Sequence, residues 1–372
     1  MVNKLVLIFS GYNQRAVIAF IRTLEANKVK YSIIAKSEND PILLTDYKIR
    51  VDAVRKVKEL CLKDLLDKIA KTKNKHNASK CIIAPSTEAL NRFLLSQRDA
   101  FEKYGCEIPL VENKLYNLVS NKQSFGNICK INNILTPGEF SSLAKIKYPC
   151  VAKPKKYFSE TTGKILSPII ILNETALITF TRTENSKDYY FQEYIDGISY
   201  YLLYYYHRNG NVYKYSQENI AQQPGGKSMV AAVTAKYHLT DESSKYEKLF
   251  IKLGFHGLVM VEVKHNKHGH YMIEANPRFW GPSQLFVDAK MNFFSALLAD
   301  YGVIDERIVF KESLVNCRYF WFGGVYETLK QKKEVICYQK RLDDIFKELF
   351  IWLDNDIYLR NDTLKLFKSE LL

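Results

Sequence analysis

The chain has 372 residues, enough for two or three domains, and its 47% hydrophobic and 25% charged residues are ordinary for a globular protein. No apolar run approaches the ~20 residues that span a bilayer, and seven scattered cysteines exclude a disulfide framework, so we expect a cytoplasmic protein with reduced thiols. The net charge of +14 does not by itself indicate a nucleic-acid partner, because the lysines lie in separate clusters without a nucleic-acid-binding motif.

Residues 1–112 alternate between strand and helix patterns. Apolar runs at 5–9, 31–36 and 79–86 predict buried strands, and the stretch from about 13 to 26 predicts a helix. This alternation predicts an α/β domain with a doubly wound parallel sheet. Gly11, after the first strand, favours a tight strand-to-helix turn over a phosphate-binding loop.

A second turn lies in the segment APSTEAL, where a predicted strand ends. Ser86 and Glu88 lie just past the strand end, at a place where doubly wound sheets position ligands. Ser86 or Thr87 is also a suitable N-cap for a helix that runs to about Gln97. We favour this structural role for the segment.

Residues 113–301 begin with a helical pattern from about 112 to 133. The later patterns are, in order, a strand, a polar loop, a strand, a capped helix and a strand: 147–154, 155–164, 168–172, a helix from Asn173, and 188–195. They predict an α+β unit with a small subdomain at about 134–190. Residues 302–372 predict a mainly helical C-terminal segment.

The segment GLVMVEVKHNKHGHYMIEANPRFWG predicts a β-hairpin with two apolar strands and a polar turn. If the turn is centred near His268, Glu262 and Glu274 face each other across the two strands. Directly opposed carboxylates would lie only ~5 Å apart and repel each other. We therefore expect a positive charge between them.

Strand side chains alternate between faces, so Asn276, Met260 and Met272 are expected on the face that carries both glutamates. Two carboxylates and an amide suit Mg²⁺, which also takes substrate phosphates as ligands. Arg278 follows, where its forked cation can hold a phosphate oxygen. The alternative is a solvated hairpin with outward charges, which the apolar flanking residues disfavour.

The ending IEANPRFWG, preceded by the glutamate of MVEV, resembles the metal-binding end of the ATP-grasp superfamily, and most of all its carbamoyl-phosphate-synthase-like carboxylate–amine ligases. NKQSF, YPCVAKP and FQEYIDG are similar to earlier family segments and follow in the order that the family requires. The resemblance covers roughly residues 113–300. It implies a pre-ATP-grasp domain at 1–112, followed by a two-subdomain ATP-grasp fold.

The resemblance also implies roles for individual residues. The nucleotide-binding residues that it implies are Lys122, Lys153, Gln192, Glu193, Tyr194, Ile195 and Ser199. The implied metal ligands, for Mg²⁺ or alternatively Mn²⁺, are Glu262, Glu274 and Asn276, and the implied catalytic residues are Lys153 and Arg278. Two features depart from the family pattern. Ser199 stands where a ribose-binding glutamate is frequent, and the loop KKYFSETTGKIL has one glycine where the family has several.

The implied reaction joins a carboxylate to an amine at the expense of ATP, through an acyl phosphate, with release of ADP and phosphate. An amino acid or peptide is the expected substrate, contacted from the first domain and the aromatic C-terminal segment, and a homodimer is a further expectation. Three alternatives stay open. They are an enzyme that releases carbamoyl or another acyl phosphate, one that uses a thiol acceptor, and a nucleotide- or nucleic-acid-binding protein without turnover.

Three other patterns favour structural roles. AQQPGGKS, residues 221–228, matches a relaxed P-loop pattern, but its flanks favour a turn between strands, near the open side of the site. His265, His268 and His270 are expected to be exposed turn histidines and not metal ligands. The aromatic run at 200–206 is expected to lie in a strand between two core layers.

Overall fold

The computed structural model describes residues 4–291, 293–305 and 316–372. Its first part contains a parallel sheet with spatial order 3-2-1-4-5. The strands are β1 (Lys4–Phe9), β2 (Tyr31–Ala35), β3 (Val51–Val54), β4 (Lys80–Ile83) and β5 (Cys106–Glu107). The helices are α1 (Gln14–Ala26), α2 (Leu62–Lys75), α3 (Glu88–Ser96) and α4 (Arg98–Lys103), with 3₁₀ turns at Pro41–Leu44 and Asp46–Arg50. The predicted parallel sheet is confirmed.

β1 explains why the sequence predicts this sheet so clearly. Leu5 and Leu7 belong to one apolar core, whereas Val6 and Ile8 belong to another on the opposite face. A strand that is buried on both faces needs an apolar residue at every position. The short strands β3 and β5 lack such a run, and the sequence did not predict them.

The predicted helix at about 112–133 is two helices, α5 (Asn113–Ser120) and α6 (Lys122–Ile131). Asn121 between them is extended, and its side-chain oxygen accepts a hydrogen bond of 2.9 Å from the Ser124 N–H. This N-cap satisfies a free donor of the new helix. The prediction of one helix was therefore wrong, and the break places Lys122 at the first residue of α6.

A small antiparallel sheet follows, in the order β6-β9-β7-β8. Its elements are β6 (Glu139–Phe140), β7 (Cys150–Pro154), β8 (Ile169–Ile171), α7 (Glu174–Thr183) and β9 (Tyr189–Glu193), with 3₁₀ turns at Leu143–Lys145 and Ser186–Asp188. Asn173 caps α7, as predicted. The small sheet has its own apolar core, which includes Ala152, Phe180 and Phe191.

The largest sheet is antiparallel, in the order β14-β13-β10-β11-β12-β15, and β16 pairs with β11. Its strands are β10 (Ile198–Tyr206), β11 (Val212–Gln222), β12 (Met229–Ala235), β13 (Gly257–Asn266), β14 (Gly269–Asn276), β15 (Arg318–Phe320) and β16 (Ile336–Cys337). The remaining helices are α8 (Asp241–Lys252), α9 (Ser283–Asp288), α10 (Phe293–Asp300), α11 (Phe322–Lys330), α12 (Leu342–Lys347), α13 (Leu349–Leu353) and α14 (Leu364–Glu370), with 3₁₀ turns at Tyr237–Leu239 and Asn361–Thr363.

The C-terminal segment is less purely helical than expected. β15 and β16 extend the largest sheet, and residues 306–315 of the predicted segment lie outside the described residues. The aromatic run on β10 behaves as predicted, because Tyr201 and Tyr205 face one core and Tyr204 and Tyr206 the other. In the described ranges, no helix has both the length and the apolarity that a membrane crossing requires.

Candidate active site

A cavity of about 750 Å³ is lined by the small sheet, the β13–β14 hairpin and the start of α6. Most of the site residues expected from the sequence line this cavity. They are Lys122, Lys153, Glu193, Tyr194, Ile195, Glu262, Glu274, Asn276 and Arg278. Gln192 and Ser199 do not line it, and their positions are described below.

The hairpin places Glu262 directly opposite Glu274, as predicted, and Met260 opposite Asn276. A register shift follows, because Val263 pairs with Met272, so Ile273 is an unpaired bulge residue. The bulge reverses the alternation of side chains along β14. Met272 therefore lies in the core on the other face, and its predicted place beside Met260 was wrong.

Polar partners surround both carboxylates. The Lys122 ammonium contacts the Glu274 carboxylate, which also accepts a hydrogen bond of 2.7 Å from the Asn276 amide. Arg278 Nη2 donates in turn to Asn276 Oδ1, at 3.2 Å. The expected positive charge beside the acid pair is therefore supplied, at least in part, by Lys122.

Two further lysines come from opposite walls of the cavity. Lys153, at the end of β7, donates to the carbonyl of the bulge residue Ile273 at 2.9 Å. Lys264, two residues after Glu262 on β13, donates to the Ile195 carbonyl at 3.0 Å and lies over the Tyr194 ring. Since the first of these hydrogen bonds joins β7 to β14 and the second joins the segment after β9 to β13, both connect the small sheet to the largest one.

Burial sets the charge state of these lysines. Burial, together with the charge of Lys122, lowers the pKa of Lys153 to about 7, against the opposing effect of Glu262. Burial likewise lowers the pKa of Lys122 to about 8. The pKa of Lys264 is also lowered, mainly by burial. An added anion would favour the charged form of each ammonium.

Ser199 occupies a different place from the one expected. Its side chain is fully buried, its hydroxyl donates to Glu262 at 3.2 Å, and it accepts 2.8 Å from the Asn219 amide. Gln217 donates in turn to Asn219. A ribose contact does not fit this position, and the geometry instead makes Ser199 a residue that orients Glu262.

The residues at the end of β9 and just after it differ in whether they line the cavity. Gln192 pairs with β6 on one side and with β7 on the other, and the residue is only 4% exposed. Contrary to the prediction, it does not reach the cavity. The Glu193 N–H donates a hydrogen bond of 2.9 Å to the Gly138 carbonyl. Tyr194 and Ile195 lie beyond the paired part of the strand and line the cavity.

Glu88 and Lys264 line the cavity but were not among the site residues predicted from the sequence, which favoured a structural role for the segment around Glu88. Thr87 caps α3, as favoured, but Glu88 beside it accepts 2.8 Å from the Tyr116 hydroxyl and lies 3.8 Å from Arg278 Nε. The signal for Lys264 was present in the sequence. It shares strand parity with Glu262, so the same alternation that placed the glutamate also places the lysine on the cavity face.

The turn at 223–228 joins β11 to β12, so the P-loop alternative is excluded by the strand that follows it. Gly225 and Gly226 have φ values of +76° and +69°, which favour glycine. Lys227 and Ser228 line the cavity, as expected. Among the described residues, no group of three or more His, Cys, Asp or Glu side chains could hold a metal ion.

No protein-family model and no curated protein matches the sequence. Solved structures do match. One is an N5-carboxyaminoimidazole ribonucleotide synthetase in its ADP complex, with a TM-score of 0.63 and 14% identity, over 95% of this chain and 98% of that chain. The Staphylococcus aureus N5-carboxyaminoimidazole synthetase with ADP has a TM-score of 0.61 and 13% identity, over 94% and 96%.

A third match is the biotin carboxylase domain of Hydrogenobacter thermophilus 2-oxoglutarate carboxylase, a dimer in complex with MgADP, ADP and bicarbonate. Its TM-score is 0.60 at 15% identity, over 83% of this chain and 71% of that chain. At such identities the similarity is one of fold. The chain therefore has the overall fold of those structures, an ATP-grasp-like fold.

Proposed function

We propose that the protein is an ATP-dependent carboxylate–amine ligase that forms an amide through an acyl phosphate and releases ADP and phosphate. The observation that carries the proposal is the directly opposed pair Glu262 and Glu274, in a cavity that Lys122, Lys153 and Arg278 also line. Two acids among three cations suit a bound polyphosphate with its metal ion. An amino acid or peptide is the proposed substrate class, and the proposed assembly is a homodimer.

The nucleotide would lie with its base against Tyr194 and Ile195 and its phosphates toward Lys122 and Lys153. Lys264 fixes the Ile195 carbonyl, so the backbone that would meet the base is held by the same strand that carries Glu262. The similar structures hold ADP or MgADP, which supports a nucleotide in this cavity. Buried ammonium groups neutralise phosphate charge more strongly than exposed ones.

Glu262, Glu274 and Asn276 would hold Mg²⁺, or alternatively Mn²⁺. Their oxygen donors fit a hard cation, and the small number of protein ligands fits an ion that also takes phosphate oxygens. Such an ion would neutralise charge on the phosphates during transfer. Ser199 and Asn276 would keep the two carboxylates in place through the hydrogen bonds described above.

In the proposed reaction, an oxygen of the substrate carboxylate attacks the γ-phosphorus of ATP, and the bond to the ADP oxygen breaks. The amine then attacks the acyl carbon, phosphate leaves, and the amine loses a proton. Arg278 is placed to stabilise negative charge on the transferred group, because its guanidinium is fixed by Asn276 and by the Phe279 carbonyl. No side-chain nucleophile is required.

The lowered lysine pKa values predict a pH dependence of nucleotide binding. Near pH 8 much of Lys153, with a pKa of about 7, is neutral, and bound phosphate would restore its proton. ADP binding should therefore take up protons near pH 8 and weaken as the pH rises further. Calorimetry in buffers of different ionisation enthalpy measures this uptake. A binding enthalpy that is the same in all buffers would contradict it.

The direct test is ADP release from ATP and Mg²⁺ in the presence of amino acids, peptides and small dicarboxylic acids, with mass spectrometry of the products. We expect ADP release that depends on both an acid and an amine, with an amide as product. Release with an acid alone, or with a thiol, would favour an acyl-phosphate-forming enzyme or a thiol ligase. Failure of the protein to bind MgADP would overturn the proposal.

A further inference from the structure

Arg15, in the first turn of α1, has no part in the reaction described above, yet it lines the same cavity. Its side chain comes from the parallel-sheet part of the chain and reaches the turn before β12. In the largest sheet, β10 and β11 separate β12 from β13, the strand that carries Glu262. Arg15 therefore reaches the cavity beside β12, whereas Lys122 and Lys153 contact β14.

The guanidinium of Arg15 is held in a fixed orientation. Nη1 donates to the Met229 carbonyl at 2.9 Å and to the Tyr319 hydroxyl at 3.1 Å, and Nη2 donates to the Ser228 hydroxyl at 2.7 Å. The Trp321 ring centroid lies 3.9 Å from Cζ, in cation–π contact. A Cβ on Gly281 would come within 3.1 Å of Nη2, so a glycine leaves room for the guanidinium there.

Arg15 forms no ion pair with a carboxylate of the described residues. Its hydrogen-bond partners are all neutral, and within the described ranges no acid forms an ion pair with it, although it is only 9% exposed. Glu370, an acid in the same network, accepts from Trp321 and forms no ion pair with Arg15. Burial raises the pKa of that carboxyl to about 7, although the charge of Arg15 acts in the opposite direction. A buried cation without a counter-ion is unfavourable.

Arg22 on the same helix provides the comparison. Two turns after Arg15, it forms a two-pronged ion pair with Asp362, with distances of 2.7 and 2.8 Å. In the part of the chain that the structure describes, a carboxylate thus pairs with the arginine of α1 that lies away from the cavity, and none pairs with the one that lines it. This difference is expected if Arg15 pairs with a bound anion and not with a carboxylate of the protein.

Arg15 lines the same cavity as the reacting groups, together with Tyr201, which pairs with Glu262 across β10 and β13. Burial and the charge of Glu262 raise the pKa of Tyr201, whereas the charges of Arg278 and Arg15 oppose that rise. Tyr201 therefore lies within the electrostatic reach of all three side chains. The exposed Lys227, beside Ser228 in the turn, adds a second cation at the rim.

We propose that Arg15 and Ser228, with Lys227 at the rim, form an anion subsite that binds a carboxylate or phosphate group of the amine substrate. The proposal rests on the proposed ligase function and makes it more specific, because it requires an amine that carries a negative group. Arg15 binds and orients this group, and it takes no part in the chemical step.

The test uses three probes that share an aminoethyl group: β-alanine with a carboxylate, 2-aminoethyl phosphate with a phosphate, and ethanolamine with neither. Calorimetry measures their binding to the full-length protein saturated with MgADP. We expect at least one anionic probe to bind more tightly than ethanolamine, and the stronger of the two identifies the class of anion. Arg15→Gln should weaken that binding about tenfold or more, as loss of a charged hydrogen bond implies.

Ser228→Ala removes one neutral partner and should weaken binding by about threefold, which keeps the test valid if Arg15→Gln does not fold. Arg341→Gln, at a well-exposed arginine paired with Asp343, is the matched control and should bind as wild type does. Equal binding of all three probes to the wild type, or equal affinity of the anionic probe for wild type, Arg15→Gln and Ser228→Ala, overturns the proposal. MgADP binding is measured separately, so a failure of the nucleotide site is distinguished from a failure of the anion subsite.

Discussion

Glu274→Gln is expected to lower the rate of ADP formation by about 100-fold or more while leaving the protein folded. The substitution keeps the size of the side chain but removes one of two opposed charges that would hold a divalent cation on the phosphates. It also removes the charge that Lys122 contacts. ADP release at several Mg²⁺ concentrations measures the effect, and the concentration for half-maximal rate should rise.

Glu247→Gln is a matched control for this experiment. Glu247 also pairs with a lysine, Lys214, at 2.8 Å, but it lies on α8 and does not line the cavity. The control should retain the wild-type rate and Mg²⁺ dependence. If Glu274→Gln also kept them, Glu274 would have no role in metal binding.

Lys153→Met is expected to weaken ADP and ATP binding by about 10-fold or more, because it removes a buried charge that would meet the phosphates. The same change should leave the unfolding free energy of the nucleotide-free protein unchanged or higher. Burial lowers the pKa of Lys153 to about 7, so the folded state holds this ammonium at a disadvantage that methionine does not have. Calorimetry and denaturant titration measure the two effects.

Lys155→Met tests whether the loss is specific to the buried position. Lys155 is exposed two residues further along, and its ammonium donates to the Lys187 carbonyl outside the cavity. The Lys155→Met protein should bind nucleotide with wild-type affinity. A Lys153→Met protein with wild-type affinity, or one that unfolds more easily and binds nothing, would contradict the assigned role.

The sequence predicted those features that depend on local periodicity. The parallel sheet follows from apolar runs such as residues 5–9, and the opposition of Glu262 and Glu274 follows from strand alternation around a turn. Asn173 and Thr87 cap their helices for the same local reason. Each of these features is decided by a few neighbouring residues.

The features that the sequence did not predict depend on contacts between distant parts of the chain. The bulge at Ile273 has no local signal, and it moved Met272 to the other face. Ser199 was expected among the nucleotide-binding residues, but Asn219, twenty residues later, holds it against Glu262. Arg15 is an ordinary helix residue by sequence, and its surroundings come from Ser228 and Trp321.

The separate core of the small sheet has a consequence for how a nucleotide enters. The small sheet packs on its own core. Hydrogen bonds that attach it to the rest of the molecule include Lys153 to Ile273, Lys264 to Ile195 and Asn121 to Lys155. Hydrogen bonds contribute only about 1 kcal/mol each, so such links could break while the core of the small sheet stays intact. A nucleotide would then enter the cavity when thermal motion separates the small sheet from the largest sheet, and neither sheet would have to unfold.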